Sequence, residues 1–307
     1  MGGSAGTFGR NRSPAEVLAK IQEHVATSGA AFDTELQKEF AALLVRFNAR
    51  NSQEIVERLQ VIKDGLHDSI SSTFDTLFGG SVAKHTYVDG ISDVDSMLVI
   101  SGPLANSDPN VVVGRIASAL KDKLKNAAEV TSGRVAITVT YADQTELQLV
   151  PTVERNGKLH VPAWESNSWS SIDPTQFRDG LTKRNVECNS KLIPTLKLAK
   201  AVNATLPEAA RLTGYHIESI GVAAFRGYEG EKTTVRMLPH FFKRASELVL
   251  SPMVDRTGQS VHVDTHLGEA NSEARRTLSH TLARIHQRMA NASAAQSRDR
   301  WREIMGE

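Results

Sequence analysis

The sequence predicts a mixed α+β fold, with long helices first, a small sheet core next and a helical lobe last. Three observations lead there. Apolar residues recur at helical spacing through "SPAEVLAKIQEHVA" and "NSQEIVERLQVIKDGLHDSISSTF". The period then drops to two in "DSMLVI" and "RVAITVTYADQTELQLVPTV", and it returns to about 3.6 beyond "SWSSIDPTQF".

Each element has its own signal. Ser13 caps the first helix and Pro14 takes its first turn, where a missing N–H costs nothing. Asn51 or Ser52 caps the second, with Glu54 placed as in a capping box. "PNVVVGRIASALKDKLKNA" reads as a helix between strands, and "RVAITVTYADQTELQLVPTV" as two strands joined at a tight Ala-Asp-Gln turn. "NSKLIPTLKLAKAVN", "YHIESIGVAAFRGY", "LPHFFKRASELVL" and "EARRTLSHTLARIHQRMANA" read as helices of the final lobe. The expected organisation is a disordered tail at 1–12, a core with its leading helices at 13–165 and a helical lobe at 166–307.

Composition limits the function. The 307 residues suffice for a substantial core. With 36 Lys and Arg against 35 Asp and Glu, the net charge of +1 gives no global pull toward nucleic acid or an acidic membrane. The lone Cys188 rules out an internal disulfide framework and a thiolate zinc cluster, and reads as an ordinary buried thiol. No apolar run reaches the length of a membrane span, and "MGGSAGTFGRNR" lacks the apolar core of a signal peptide, so the expectation is a soluble, cytoplasmic protein with no membrane contact.

The chemistry concentrates in "FGGSVAKHTYVDGISDVDSMLVI". Residues two apart in a strand point to the same side, so Asp93 and Asp95 present two carboxylates to one point, the arrangement a hard cation such as magnesium takes. Gly80 and Ser81 supply a turn whose amides and hydroxyl can approach phosphate oxygens. Glycine turns and D-x-D pairs separately are common; in this order and spacing they are far more specific. Elsewhere, Lys197 and Lys200 lie three apart on one helix face, which without other context is a solvated stripe. Tyr215 alone reads as a half-buried aromatic. His262, Asp264 and His266 would share a strand face with spacing that a metal such as zinc accepts, although surface or core histidines are the commoner meaning.

The glycine-serine turn followed by the D-x-D strand resembles the signature of the polymerase-beta-like nucleotidyltransferases. Within them the chain is similar to the bacterial cGAS/oligoadenylate-synthase-like (CD-NTase) branch of anti-phage signalling. "LIPTLKLAKAVN" resembles that family's helix with a triphosphate-holding lysine, which would be Lys200, with Lys197 beside it. "TGYHIESI" resembles the family's "S-Y-H-x-E" helix start, whose tyrosine stacks on a nucleobase and would be Tyr215. With the Leu-Val-Pro strand at Leu149 to Pro151, the matches run from about residue 75 to 270. The resemblance implies a polymerase-beta-like core sheet, two magnesium or manganese ions on Asp93, Asp95 and a third carboxylate, nucleoside triphosphate substrates, and a downstream effector protein that responds to the product.

The chain departs from that pattern at one place. Where relatives carry a third aspartate just before Leu-Val-Pro, it has Gln148, whose amide oxygen can ligate a metal without adding charge. Glu146, two residues earlier on the same strand face, is the expected third metal-binding carboxylate and a candidate base. Synthesis of a cyclic or linear oligonucleotide signal is the expected activity. Nucleotidyl transfer to a tRNA or protein, and a pseudoenzyme that only senses nucleotides, stay open as alternatives.

Overall fold

The structure is a computed structural model and describes residues 14–48, 52–78, 84–88, 94–143, 145–163, 167–256 and 262–307. Helices α1 (Pro14–Phe47) and α2 (Ser52–Ser69) precede strand β1 (Thr73–Phe78) and strand β2 (Val94–Ser101). Helix α3 (Pro109–Leu124) then leads into β3 (Ala128–Ser132), β4 (Ile137–Tyr141), β5 (Glu146–Arg155), β6 (Lys158–Pro162) and β7 (Trp169–Ile172). The remainder is helical: α4 (Pro174–Glu187), α5 (Leu192–Ala204), α6 (Gly214–Ala224), α7 (Thr234–Leu248), α8 (Glu273–Ala294) and α9 (Arg298–Met305).

The strands form one mixed sheet in the order β1-β2-β5-β4-β3, with β6 on the far half of β5 and β7 beyond it. β2 and β5 are parallel, which requires a long crossover, and α3 with the β3–β4 hairpin supplies it. Burial alternates along both central strands: Ser96, Leu98 and Ile100 on β2 and Leu147 and Leu149 on β5 are buried. They pack under Ile55, Leu59, Ile62 and Leu66 of α2 and under α3, whose Val112, Ile116, Leu120 and Leu124 recur at helical spacing. The opposite face, with Glu146, Gln148 and Val150, remains exposed or half-buried.

A second core lies among the C-terminal helices, built on Leu196, Ile220, Phe241, Phe242, Leu282 and Trp301. Helix α1 belongs to this core: Leu36, Phe40 and Leu43 are buried there, and Phe40 meets Trp301 edge to face at 5.5 Å between ring centres. So the two leading helices part company, α2 packing on the sheet and α1 on the lobe. The expected two-strand hairpin is present as β4 and β5, paired antiparallel from Thr140↔Glu146 to Ile137↔Leu149, and Gln144 of the expected turn lies outside the described residues. Hydroxyl and carboxylate caps start the later helices except α5: Asp173 accepts from the Thr175 and Gln176 amides, Thr213 from His216, Thr233 from Arg236, Ser272 from Arg275 and Ser297 from Arg300. Among the described residues no helix is long and apolar enough to cross a membrane.

Candidate active site

Asp95 sits in β2 in register with Gln148 of the parallel β5, and Gln148 in turn faces Thr138 of β4. Neighbouring strands are ~4.8 Å apart, so the amide is the lateral neighbour of the Asp95 position. Glu146 opens β5 one pleat earlier and pairs with Thr140, whose Oγ1 donates to Glu146 Oε1 at 3.4 Å. Its carboxylate is exposed, and among the described residues no lysine or arginine forms an ion pair with it. Asp93, Gly80 and Ser81 lie outside the described residues.

The hairpin that presents Glu146 is pinned from behind. Arg58 of α2 reaches Asp143 in the β4–β5 turn through Nη1 at 3.2 Å and Nη2 at 2.8 Å, while its guanidinium lies 4.2 Å from the Tyr141 ring centre. Asp143 Oδ1 also accepts from the Thr145 amide at 3.0 Å, so hydrogen bonds from Arg58 first, and then from Thr145, hold its carboxyl well below the usual carboxylate range. Such a forked, charge-assisted contact fixes the turn and hence the start of β5.

The two lysines of α5 have different surroundings. Lys200 is buried, and its ammonium donates to Thr86 O at 3.0 Å, Thr86 Oγ1 at 3.4 Å and Glu218 Oε1 at 2.9 Å. Lys197 is half-buried and donates to Asn48 Oδ1 at the end of α1. Burial, with Lys200 close by, lowers its pKa. Glu218 on α6 accepts from Thr86 Oγ1 as well, and its Oε2 pairs with Lys84. Burial would push this carboxyl up, but Lys200 and Lys84, with the Lys84 and Thr86 hydrogen bonds, outweigh burial and hold it below the ordinary value.

Tyr215 is half-buried near the start of α6. Its hydroxyl donates to Asp255 Oδ1 at 2.7 Å, and its ring meets Phe177 of α4 edge to face at 4.8 Å. The Lys84 ammonium lies 5.0 Å from the Phe177 ring centre and 5.2 Å from that of Tyr215. Sequence reasoning gave no role to Lys84, Thr86, Phe177 or Glu218. A usable signal was there, since a glutamate inside the apolar run "IESIGVAAF" needs a cation partner once buried.

The His262, Asp264 and His266 group differs from its expected strand. His262 makes an isolated bridge with Val254, and residues 265–267 form a single 3-10 turn. Asp264 is buried and its Oδ2 accepts from Arg275 Nη1 at 2.7 Å, which neutralises it without a metal. Among the described residues no three His, Cys, Asp or Glu side chains group to hold a metal ion. Cys188 is buried and free, as expected of a packing thiol.

The sequence matches the model of the Second Messenger Oligonucleotide or Dinucleotide Synthetase domain over residues 34–185. No functionally curated protein matches it. Among solved structures, CdnG of Bradyrhizobium diazoefficiens bound to GTP superposes with a TM-score of 0.65 at 14% identity, covering 87% of this chain and 94% of that one. Escherichia coli CdnC in complex with a HORMA protein gives 0.63 at 16% identity, covering 83% of this chain and 91% of that one. The Vibrio cholerae dinucleotide cyclase DncV with ATP and GTP gives 0.62 at 11% identity over 94% and 88%. On the domain match, residues 34–185 belong to the family of second-messenger oligonucleotide or dinucleotide synthetases, the bacterial cGAS-like CD-NTases, and the chain as a whole shares the α+β architecture of nucleotidyltransferases of that kind.

Proposed function

We propose that the protein joins nucleoside triphosphates into a cyclic or linear oligonucleotide messenger in the cytoplasm, releasing pyrophosphate, in an anti-phage response read by a separate effector protein. The observation that carries this reading is the β2–β5 ladder: it sets Gln148 beside Asp95 and places the exposed carboxylate of Glu146 one pleat away on the same face of β5. An exposed carboxylate with no cation partner among the described residues, beside an amide oxygen and an aspartate position, is an all-oxygen donor set that suits magnesium or manganese. Asp93, Asp95 and Glu146 would hold two such ions, with Gln148 as a neutral contributor; when bound, they supply Lewis-acid activation of the attacking hydroxyl and charge compensation for the leaving pyrophosphate.

The chain's own groups have definite tasks. The 3′ or 2′ hydroxyl of one nucleotide attacks the α-phosphorus of another, a new O–P bond forms, and the bond to the β-phosphate oxygen breaks. Glu146 takes the hydroxyl proton. Gly80 and Ser81 bind the triphosphate, Lys197 adds positive charge on its side, and Tyr215 stacks on a base.

The test is incubation of purified protein with each labelled nucleoside triphosphate and magnesium or manganese, with products identified by mass spectrometry. A phosphodiester-linked oligonucleotide with stoichiometric pyrophosphate is expected. Label transferred instead to added tRNA or protein, or no turnover with any nucleotide, overturns the reading.

A further inference from the structure

Glu218 is one carboxylate shared between two ammonium groups, Lys200 on Oε1 and Lys84 on Oε2. Its side chain is 1% exposed, Lys200 on the neighbouring helix is 4% exposed, and Lys84 is 11% exposed. Lys84 belongs to the short segment 84–88, three residues after Ser81, and in that segment Thr86 and Val88 are fully buried. Thr86 contributes both its carbonyl, to Lys200, and its hydroxyl, to Glu218. His85, between the two contact residues, has a φ of 59°, a left-handed backbone that a non-glycine residue keeps only when its surroundings hold it there.

The cluster carries two positive charges and one negative, so it is not a self-cancelling ion pair. The surplus charge does not face open solvent: the Lys84 ammonium lies over the Phe177 and Tyr215 rings. Lys84 therefore touches the ring of Tyr215 at one end of its contacts and a buried glutamate at the other, three residues after Ser81 in sequence. Removing Glu218 would leave two nearby ammonium groups facing each other with low exposure, which the segment could relieve only by moving outward.

We infer that Glu218 and Lys84 are positioning residues of the nucleotide site. With Lys200 they form a buried latch that fastens segment 84–88 to helices α5 and α6 and sets the ring of Tyr215. This inference rests on the proposed function in taking the site as one for a nucleoside triphosphate. It assigns Lys200 to the latch, since the three hydrogens of its ammonium have three protein acceptors within 3.4 Å.

The test combines amide hydrogen exchange with steady-state kinetics on the full chain for Glu218→Gln, Glu218→Asp and Lys84→Met. In Glu218→Gln and Lys84→Met, exchange across residues 84–88 should speed by about tenfold while helices α8 and α9 keep wild-type protection. KM for the nucleoside triphosphate should rise by about tenfold with kcat within about threefold, and Glu218→Asp should recover most of the loss. A lower melting temperature with KM unchanged means a purely structural role and overturns the inference, as does unchanged exchange over 84–88. If Glu218→Gln does not fold, Lys84→Met decides, because its side chain lies at the edge of the cluster. Wild-type protein that binds no nucleoside triphosphate defeats the proposed function and the positioning role together; wild-type binding with unaffected variants defeats the latch alone.

Discussion

Two residue pairs decide how the site works. Gln148 is the lateral neighbour of Asp95 but is neutral, whereas Glu146 is charged and one pleat further along. If Glu146 completes the metal site, Glu146→Gln should lower kcat by two orders of magnitude or more and Gln148→Ala by about tenfold or less. Initial rates at saturating magnesium measure both, and a larger loss in Gln148→Ala would transfer the role to the amide. The lysines of α5 separate in a similar way. Lys200 has its donors engaged inside the protein, so Lys200→Met should cost about 2–4 kcal/mol in urea unfolding. Lys197 has one acceptor among the described residues and is half-buried. Lys197→Met should leave stability within about 1 kcal/mol and weaken nucleoside triphosphate binding by about tenfold. The reverse pattern by calorimetry and urea titration would return the phosphate role to Lys200.

At the scale of elements, close approach between α5 and α6 is what lets Lys200 and Glu218 meet. Gly221 makes that approach possible: a Cβ there would lie 2.5 Å from Leu196 Cδ2 and 3.3 Å from Cδ1, and Leu196 is fully buried. Gly221→Ala should therefore lower stability by about 1–3 kcal/mol despite alanine's better helix propensity, and a melting temperature at or above wild type would contradict this packing. Helix and strand signals were legible in the sequence because they are local. The "RVAITVTYADQTELQLVPTV" hairpin and the helix at "PNVVVGRIASALKDKLKNA" are found as β4–β5 and α3. The parallel pairing of β2 with β5, the short strands β1, β3, β6 and β7, of which β1 begins inside the stretch read as the end of the second helix, and the packing of α1 on the lobe were not legible, because each depends on partners distant in sequence. The same limit applied to the site. Strand alternation put Glu146 and Gln148 on one face, but no local pattern reveals that Lys84 and Lys200 share Glu218, which takes contacts 134 and 18 residues apart (218 − 84 and 218 − 200).

For the whole molecule, stability toward acid should be set in part by a buried polar group in the helical lobe. His216 is 1% exposed, its Nε2 is 3.5 Å from Asp264 Oδ2, and among the described residues neither ring nitrogen has a hydrogen-bond partner. Asp264 is instead committed to Arg275, which is fully buried and also donates to the Val249, Ser251, Gly268 and Asp264 carbonyls. Burial lowers the pKa of His216 from 6.5 to about 4; the attraction of Asp264 opposes this, and His266 and Arg275 reinforce it. The folded state thus holds the imidazole neutral while the unfolded chain protonates it near 6.5. The unfolded state then binds more protons between those two values, so this contribution is whole above pH 6.5, falls as pH drops toward 4, and is lost below. A shift of that size corresponds to at most ~3 kcal/mol. Asp264, which titrates below its ordinary value because hydrogen bonds from Arg275 and the Met253 amide overcome the effect of burial, adds its own loss only at still lower pH. His216→Leu should accordingly flatten the fall in unfolding free energy between pH 6.5 and 4 while leaving the loss below pH 4 in place. Urea unfolding of both proteins at half-unit steps from pH 7.5 to 3.5 measures it, and parallel curves for wild type and His216→Leu would show that the histidine does not carry the acid sensitivity.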